Sequence, residues 1–371
     1  MNITIDLRSL HTKEFSGVEY FSAQVIEQLL QIDKHNHYLL FYNGFQKKSF
    51  DQFHFVNGKF KQTRIPNRFL NLSYKFLRWP KLESLTNGNN VVLFPNPSMV
   101  RLRSTTKLVL VVHDLSPVLM PEMYSWKDQI WHKMINIPAL CKRADKILAV
   151  SEYTKQSLIK EFGISPDKIS VGLLGIDHHR YNHNLSVSGM RHVRNKYNLP
   201  GEFILFLGTL EPRKNLSRLI KAFESLQSGQ TLVIAGKLGW KYAEVMKMIH
   251  TSPKRKQIQY IGYINEEDKP ALIKLARVFA WPSLYEGFGL PVLEAMAVGT
   301  PVLTSNVTSL PEVVGDSAMI VNPYNVSEIA NGLKILLDNE EVRENYIRKG
   351  IERSQNFDWS KTAQVLYKLL T

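Results

Sequence analysis

The chain has 371 residues, 44% hydrophobic and 22% charged; that is long for one core, sufficient for two domains, and excludes a disordered polypeptide. Its single cysteine, Cys141, excludes an intramolecular disulfide and suits a reducing compartment, and no stretch approaches the ~20 apolar residues of a membrane span. The net charge of +14 is concentrated: residues 44–107 hold 12 Lys and Arg against Asp51 and Glu83, a local +10 that points to an anionic partner.

In chain order, "NITIDL" reads as a first buried strand without the long apolar region of a secretory signal. "GVEYFSAQVIEQLL" has helical periodicity, and "YLLFYN", "VVLF", "KLVLVV" and "KILAV" are further buried-strand runs. Strands alternating with helices imply a parallel sheet covered on both faces. Within the basic region, "RIPNRFLNLSYKFLRWPKLE" (64–83) places Phe69, Leu72, Phe76 and Trp79 on one helical face among Arg68, Lys75, Arg78 and Lys81. That spacing fits a helix lying in an anionic membrane interface. It equally fits a helix docking its apolar face on the sheet with its lysines in water; nucleic acid is not the expected partner.

"HDLSP" follows "KLVLVV" and puts His113 at a strand end, where it can act in a site or bond a backbone carbonyl; Asp114 can orient the ring or cap a turn. The polar, aperiodic "DHHRYNHNLSVSG" (177–189) reads as a linker. The strand pattern then restarts with "FILFLG", "QTLVIAG", "IQYIG", "RVFAWPS" and "TPVLTS". After "FILFLG" comes a loop with Arg213 and Lys214, and Asn215 is placed to cap the next helix. Adjacent cations at a strand-to-helix loop suit phosphate oxygens, although a solvated pair on a turn has the same sequence.

"SLYEGFGLPVLEAMAVGTPVL" (283–303) sets Glu286 and Glu294 around a glycine-rich corner. Pro291 fits the first turn of a helix and Gly299 its end. Gly287, Phe288, Gly289 and Leu290 then form the turn before a helix N-terminus, which favours an anion, and the carboxylates can each accept from two sugar hydroxyls. A corner whose glutamates merely complement the helix dipole would look similar. The final "FDWSKTAQVLYKLL" reads as a helix capped by Asp358. No D-x-D, H-E-x-x-H, cysteine cluster, nucleotide P-loop or nucleophile elbow is present, so the expected site is metal-free and uses Arg, Lys and backbone amides.

The stretches "LGTLEPRKNLSRLIKAF", "IAGKLGW", "YIGYINEEDKPAL" and "WPSLYEGFGLPVLEAMAVGTPVLTSNVTSLPEVVGDSAMIVNP" resemble the nucleotide-sugar domain of family-4 retaining glycosyltransferases of the GT-B fold. The first half resembles the family's acceptor domain more loosely, through "FSGVEYFSAQVIEQL", "VVHDLSP", "AVSEYTKQSLI" and "LLGID", and the combined motifs are most similar to mannosyltransferase-type members. The resemblance implies an α/β GT-B fold: two Rossmann-like doubly wound domains facing across a cleft. Residues 1–185, joined by the helix 357–371, would bind acceptor, and residues 186–356 the nucleotide sugar.

It further implies that Arg213 and Lys214 hold the donor diphosphate, Glu286 the sugar hydroxyls and Glu294 the ribose. The amides of Gly287, Phe288, Gly289 and Leu290 would meet sugar and phosphate oxygens, and Gly262, Tyr263 and Ile264 would border the base. His113 and Gly17 would lie near the transferred sugar. Thr209 stands where many members carry an arginine on the phosphates, a departure that Arg213 would make good.

The expected reaction is retaining transfer of a hexose, mannose from GDP-mannose, to a saccharide or lipid-linked saccharide in cell-surface polysaccharide synthesis, without cofactor or metal. UDP-, dTDP- or ADP-sugar donors (glucosyl, N-acetylglucosaminyl or rhamnosyl transfer), a sugar-nucleotide epimerase or phosphorylase, and a non-catalytic module binding anionic surfaces are the alternatives. The expected location is cytoplasmic, peripheral at the inner face of the membrane through residues 44–107.

Overall fold

The computed structural model describes residues 1–11, 17–45, 53, 57–77, 79–86, 88, 90–227 and 229–371. They form two compact units, one of residues 1–119, 126–175 and 358–371, the other of residues 120–125 and 176–357.

The first unit is built on a parallel sheet of β1 (Asn2–Asp6), β2 (His37–Asn43), β3 (Gly58–Thr63), β4 (Val91–Phe94), β5 (Lys107–Val112), β6 (Lys146–Ala149) and β7 (Ile169–Val171), in the order β3-β2-β1-β4-β5-β6-β7. The unbroken apolar runs of β4 and β5 are buried, as strands covered on both faces must be. Helix α1 (Gly17–Ile32) turns Phe21, Val25, Leu29 and Ile26 inward and packs on the closing helix, Trp359–Leu370. Asp358 caps that helix, its Oδ1 accepting from Ser360 N at 2.7 Å. Where the closing helix starts, the chain touches Gly175 so closely that a Cβ there would lie 2.1 Å from Trp359 N.

The second unit has the sheet β8 (Phe203–Leu207), β9 (Thr231–Ala235), β10 (Ile258–Gly262), β11 (Val278–Trp281), β12 (Val302–Ser305) and β13 (Met319–Val321), ordered β10-β9-β8-β11-β12-β13 and again parallel. Each sheet reverses its strand order at one place, between β1 and β4 and between β8 and β11. In such sheets ligands bind beyond the C-terminal strand ends at that reversal.

Apart from residues 120–125, the units change over at Gly175–Ile176 and Phe357–Asp358, the former ten residues ahead of the expected boundary at 185. The polar segment expected to be a linker is anchored on the second unit instead. Ile176 N and the His178 ring both donate to Phe357 O, Arg180 pairs with Glu266, and Tyr181 is buried. Its last residues enter a helix, Val187–Lys196, that Ser186 caps through Gly189 N. Residues 120–125 also belong to the second unit: the Tyr124 ring stacks on Trp240 at 5.2 Å, and the Trp240 indole N–H donates to Met123 O.

The basic segment forms α2 (Asn67–Leu72), continuing into a π-helical turn at Ser73–Leu77. Leu70 and Tyr74 point inward and make a small core with Met99, whereas Phe69, Leu72, Phe76 and Trp79 are exposed. The stripe 69, 72, 76, 79 therefore faces outward and does not dock on the sheet. Residues 46–52, 54–56, 78, 87 and 89 of the basic region lie outside the described residues. Among the described residues no helix is long and apolar enough to cross a membrane.

Candidate functional site

The strand reversal in the second unit puts two loops side by side, one after β8 and one after β11. Small residues are required for their approach. A Cβ on Gly208 would lie 2.4 Å from the Trp281 ring, and Gly236, at φ +133°, would put a Cβ 2.0 Å from Gly208 O. The buried Trp281 ring lies parallel to Phe206 and Phe279, with centroids 5.2 and 6.0 Å away, which fixes where the β11 loop begins.

That ring positions Glu286. The Trp281 indole N–H donates to Glu286 Oε1 at 2.9 Å, and Lys214 Nζ reaches the same oxygen at 2.7 Å while sitting 4.9 Å above the indole. Arg213 Nη1 approaches Glu286 Oε2 at 3.3 Å and donates to Tyr285 O at 2.9 Å; its Nη2 donates to Glu211 Oε1 at 2.7 Å. Arg213 thus lies between two buried carboxylates, and Lys214 pairs with one of them. Burial pushes the Glu286 pKa up, but Lys214 and Arg213 pull it the other way, and the carboxyl ends below its ordinary value. Glu286 is a fixed anion that accepts hydrogen bonds. The loop is held from below by Ser309, whose Oγ bonds Glu286 O and Phe288 O, and by Thr308 Oγ1, which accepts from Glu286 N.

Each of the two loops leads into a helix. The first helix, Leu216–Ser225, opens at Asn215, which does not cap it with its side chain as the sequence suggests. Asn215 adopts a left-handed conformation, and its Nδ2 donates to Pro282 O and Pro323 O, tying the first loop to the second. The helix after the second loop, Leu290–Ala297, has Gly289 as its cap at φ +113°, with room for no side chain: a Cβ would meet Leu310 Cδ2 at 2.7 Å. The first N–H groups of this helix lack intrahelical partners by geometry, and its dipole is positive at this end.

Glu294 lies in that helix and is buried, but its surroundings differ from those of Glu286. Burial raises its pKa; Lys269 opposes this, Glu266 adds to it, and the Tyr181 phenol and Arg180 oppose it, leaving the pKa above the ordinary value. Two glutamates eight apart in sequence are thereby pushed in opposite directions.

Gly262 ends β10 in a left-handed conformation and accepts from Gly236 N at 2.7 Å, so the Gly262–Ile264 segment is tied to the same strand ends; Tyr263 is exposed and Ile264 buried. Thr209 follows β8 half-buried, its methyl 2.7 Å from where a Cβ on Gly239 would stand.

In the first unit, His113 follows β5. Its Nε2–H donates to Pro95 O at 2.8 Å, and the Phe21 ring meets it edge-on at 4.7 Å. Burial lowers its pKa against the opposing effects of that bond, Asp114 and Glu19, so the imidazole is neutral near pH 7. Asp114 caps the next turn, its Oδ1 accepting from Ser116 N and Oγ. Gly17 opens α1 with none of the described residues within 4 Å of where a Cβ would stand, and residues 12–16 before it lie outside the described residues.

The fold therefore gathers Arg213, Lys214, Glu286 and Gly287–Leu290 at one strand reversal, with Thr209, the Gly262–Ile264 segment and Glu294 on the same unit, and His113 and Gly17 on the other. Sequence reasoning missed Glu211, Trp281, Thr308 and Ser309. Glu211 alone left a signal, as an acid two residues ahead of Arg213 in "EPRK".

A family model described as glycosyl transferases group 1 matches residues 191–353, and one described as Glycosyltransferase Family 4 matches residues 15–180. The chain is 33% identical over 286 residues to the O-antigen chain mannosyltransferase B of Escherichia coli, covering 75% of this chain and 74% of that protein. It is 34% identical over 265 residues to the E. coli serotype-specific mannosyltransferase WbdA, covering 70% of this chain and 32% of that longer protein. Among solved structures, WaaG, a glycosyltransferase involved in lipopolysaccharide biosynthesis, superposes with a TM-score of 0.76 at 16% identity over 100% of this chain and 99% of its own. Anabaena Alr3699/HepE in complex with UDP-glucose gives 0.74 at 18% identity, over 99% and 98%. Both likenesses are of fold, the GT-B fold.

Proposed function

The chain belongs to the family-4 glycosyltransferases, and we propose that it transfers mannose from GDP-mannose, with retained anomeric configuration, to a saccharide or lipid-linked saccharide in polysaccharide synthesis. The observation that carries this reading is the meeting of Lys214 and Arg213 with Glu286 where β8 and β11 reverse the sheet order. Mannosyl transfer is supported by the mannosyltransferase relatives at 33% and 34% identity.

In the proposed reaction the donor diphosphate lies against Lys214, Arg213 and the N-terminus of the helix Leu290–Ala297. These groups stabilise the charge that develops as the bond from the anomeric carbon to the phosphate oxygen breaks, without a metal ion. The acceptor oxygen bonds the same face of that carbon, and its proton passes to the departing phosphate oxygen. Glu286 accepts from Lys214, Arg213 and Trp281 and keeps lone pairs for a sugar hydroxyl; a carboxylate so engaged is a hydroxyl acceptor and not a nucleophile. Glu294 takes the ribose, Gly262–Ile264 border the base, and neutral His113 offers its Nδ1 lone pair as an acceptor near the transferred sugar. The acceptor stands at the inner face of an anionic membrane, reached through the basic region 44–107.

A thermal-shift panel of GDP-mannose, UDP-glucose, UDP-N-acetylglucosamine, dTDP-rhamnose and ADP-glucose tests the donor. At 100 times its dissociation constant a ligand stabilises by about 2.7 kcal/mol, and GDP-mannose should give the largest shift. A larger shift with another nucleotide overturns the donor assignment. NMR of the product's anomeric centre tests retention.

A further inference from the structure

A second helix, which the sequence did not connect with the apolar stripe on α2, packs on the same small core and also exposes large apolar side chains. Helix α3 (Trp126–Ile135) exposes Trp126, Ile130 and Trp131. Its other residues Met134 and Ile135 pack against Leu70 and Tyr74 of the α2 region, in the same small core as Met99. The two helices, about 60 residues apart in sequence, therefore share a buried seam and turn their remaining apolar side chains outward. On the α2 side Phe69, Leu72, Phe76, Leu77 and Trp79 are between 50% and 73% exposed. Exposed apolar side chains of this size, on two helices that pack on one small core, are of the kind that marks an interaction surface.

Cations border it. Arg64, Lys75, Lys81, Lys127 and Lys133 are exposed, and Lys127 Nζ lies 5.5 Å over the Trp126 ring. Residues 64–83 and 126–135 contain two acids, Glu83 and Asp128. Glu83 is buried and accepts from Arg103 N and Thr106 Oγ1, and Asp128 is half-buried. Rings and ammonium groups interleaved on one face match the boundary between acyl chains and anionic headgroups. They match a second copy of this chain poorly, because self-association would set one basic surface against another.

We propose that α2, its π turn and α3 together form a docking face for an anionic lipid bilayer, with Phe76, Trp79 and Trp131 entering the headgroup layer. This deepens the membrane part of the function proposed above and is independent of its donor part.

The test is flotation of the full chain with phosphatidylglycerol-containing and with pure phosphatidylcholine vesicles, at low and high salt. Binding is expected only with the anionic vesicles, weakening as salt rises. Lys75→Glu should lower affinity by at least roughly fivefold, the worth of one cation near the surface. Phe76→Ser and Trp79→Ser should each lower it by about tenfold or more. Trp131→Ser, on the other helix, should weaken binding comparably. Unchanged melting temperatures would show that these surface variants fold. Absence of flotation with every anionic vesicle overturns the proposal, as does full binding by the Phe76, Trp79 and Trp131 variants. A dimer, or retention on nucleic acid, that these variants abolish while vesicles bind neither form would overturn it too. A thermal shift with GDP-mannose on the same sample separates the two readings: its loss with flotation intact removes the donor assignment and leaves the docking face.

Discussion

Lys214 and Glu286 meet at 2.7 Å across the strand reversal of the second unit, each on its own loop and 72 residues apart in sequence. The contact joins the residue expected to hold a phosphate to the one expected to hold a hydroxyl. It sets the two positions at a fixed separation before any ligand arrives, which is what positioning by a preorganised site requires.

Glu286→Gln and Lys214→Ala should each lower turnover by about 10²–10³ where these groups stabilise developing charge or orient the sugar. Steady-state rates with GDP-mannose as donor check this. Near-normal rates in both variants would place the chemistry elsewhere.

The two glutamates should respond oppositely to pH. The Glu286 carboxyl is held below its ordinary value, so its contribution to stability is present above the carboxylate range and is lost as pH falls through its folded value. Glu286→Gln should therefore melt lower than the parent at pH 7, with the gap closing in acid. The Glu294 carboxyl is held above its ordinary value, so its ionisation opposes folding at neutral pH and this penalty vanishes in acid. Glu294→Gln should melt higher at pH 7, and that gap also closes in acid. Melting curves from pH 8 down to below the ordinary carboxylate range read both, and gaps of the same sign at pH 7 would contradict the electrostatic account.

His113 is buried and favours its neutral form, so unfolding lets it gain a proton below its ordinary value of about 6.5 and stability should fall with pH there. Half-buried His132 shares this trend. Replacing His113 by Asn, which can still donate to Pro95 O, should flatten part of the decline in melting temperature between pH 7 and pH 5.

Glycine substitutions separate packing from ligand contact. Gly236→Ala should destabilise by more than Gly208→Ala, because its Cβ would strike the rigid Gly208 carbonyl from a left-handed backbone, whereas the Gly208 Cβ meets a ring. Overpacking of the latter kind costs ~1–3 kcal/mol. Gly17→Ala meets none of the described residues within 4 Å and should leave the melting temperature unchanged or raised. A fall in donor affinity without a fall in melting temperature would assign Gly17 to the ligand.

The parallel strands were legible because burial on both faces leaves an uninterrupted apolar run, as in "KLVLVV" and "FILFLG". The glycine corner was legible because Gly289 and Pro291 are each demanded by backbone geometry at a helix start. What escaped depends on partners far away in sequence. Asn215 has the residue type of a cap but bonds two distant carbonyls, and Trp281 looks like one more core ring until its N–H is found on Glu286. The stripe on α2 was visible as periodicity, but its orientation depended on which neighbours took Leu70 and Tyr74. Periodicity specifies a face and leaves open what that face meets.

Residues 120–125 count with the second unit although the chain on both sides of them counts with the first, so the polypeptide changes unit at 119/120, 125/126, 175/176 and 357/358. A gene cut at 175/176 and 357/358 would therefore not release an intact module. The fragment 176–357 would lack Tyr124 and the Met123 carbonyl, leaving Trp240 with its flat face wet and its indole proton unclaimed.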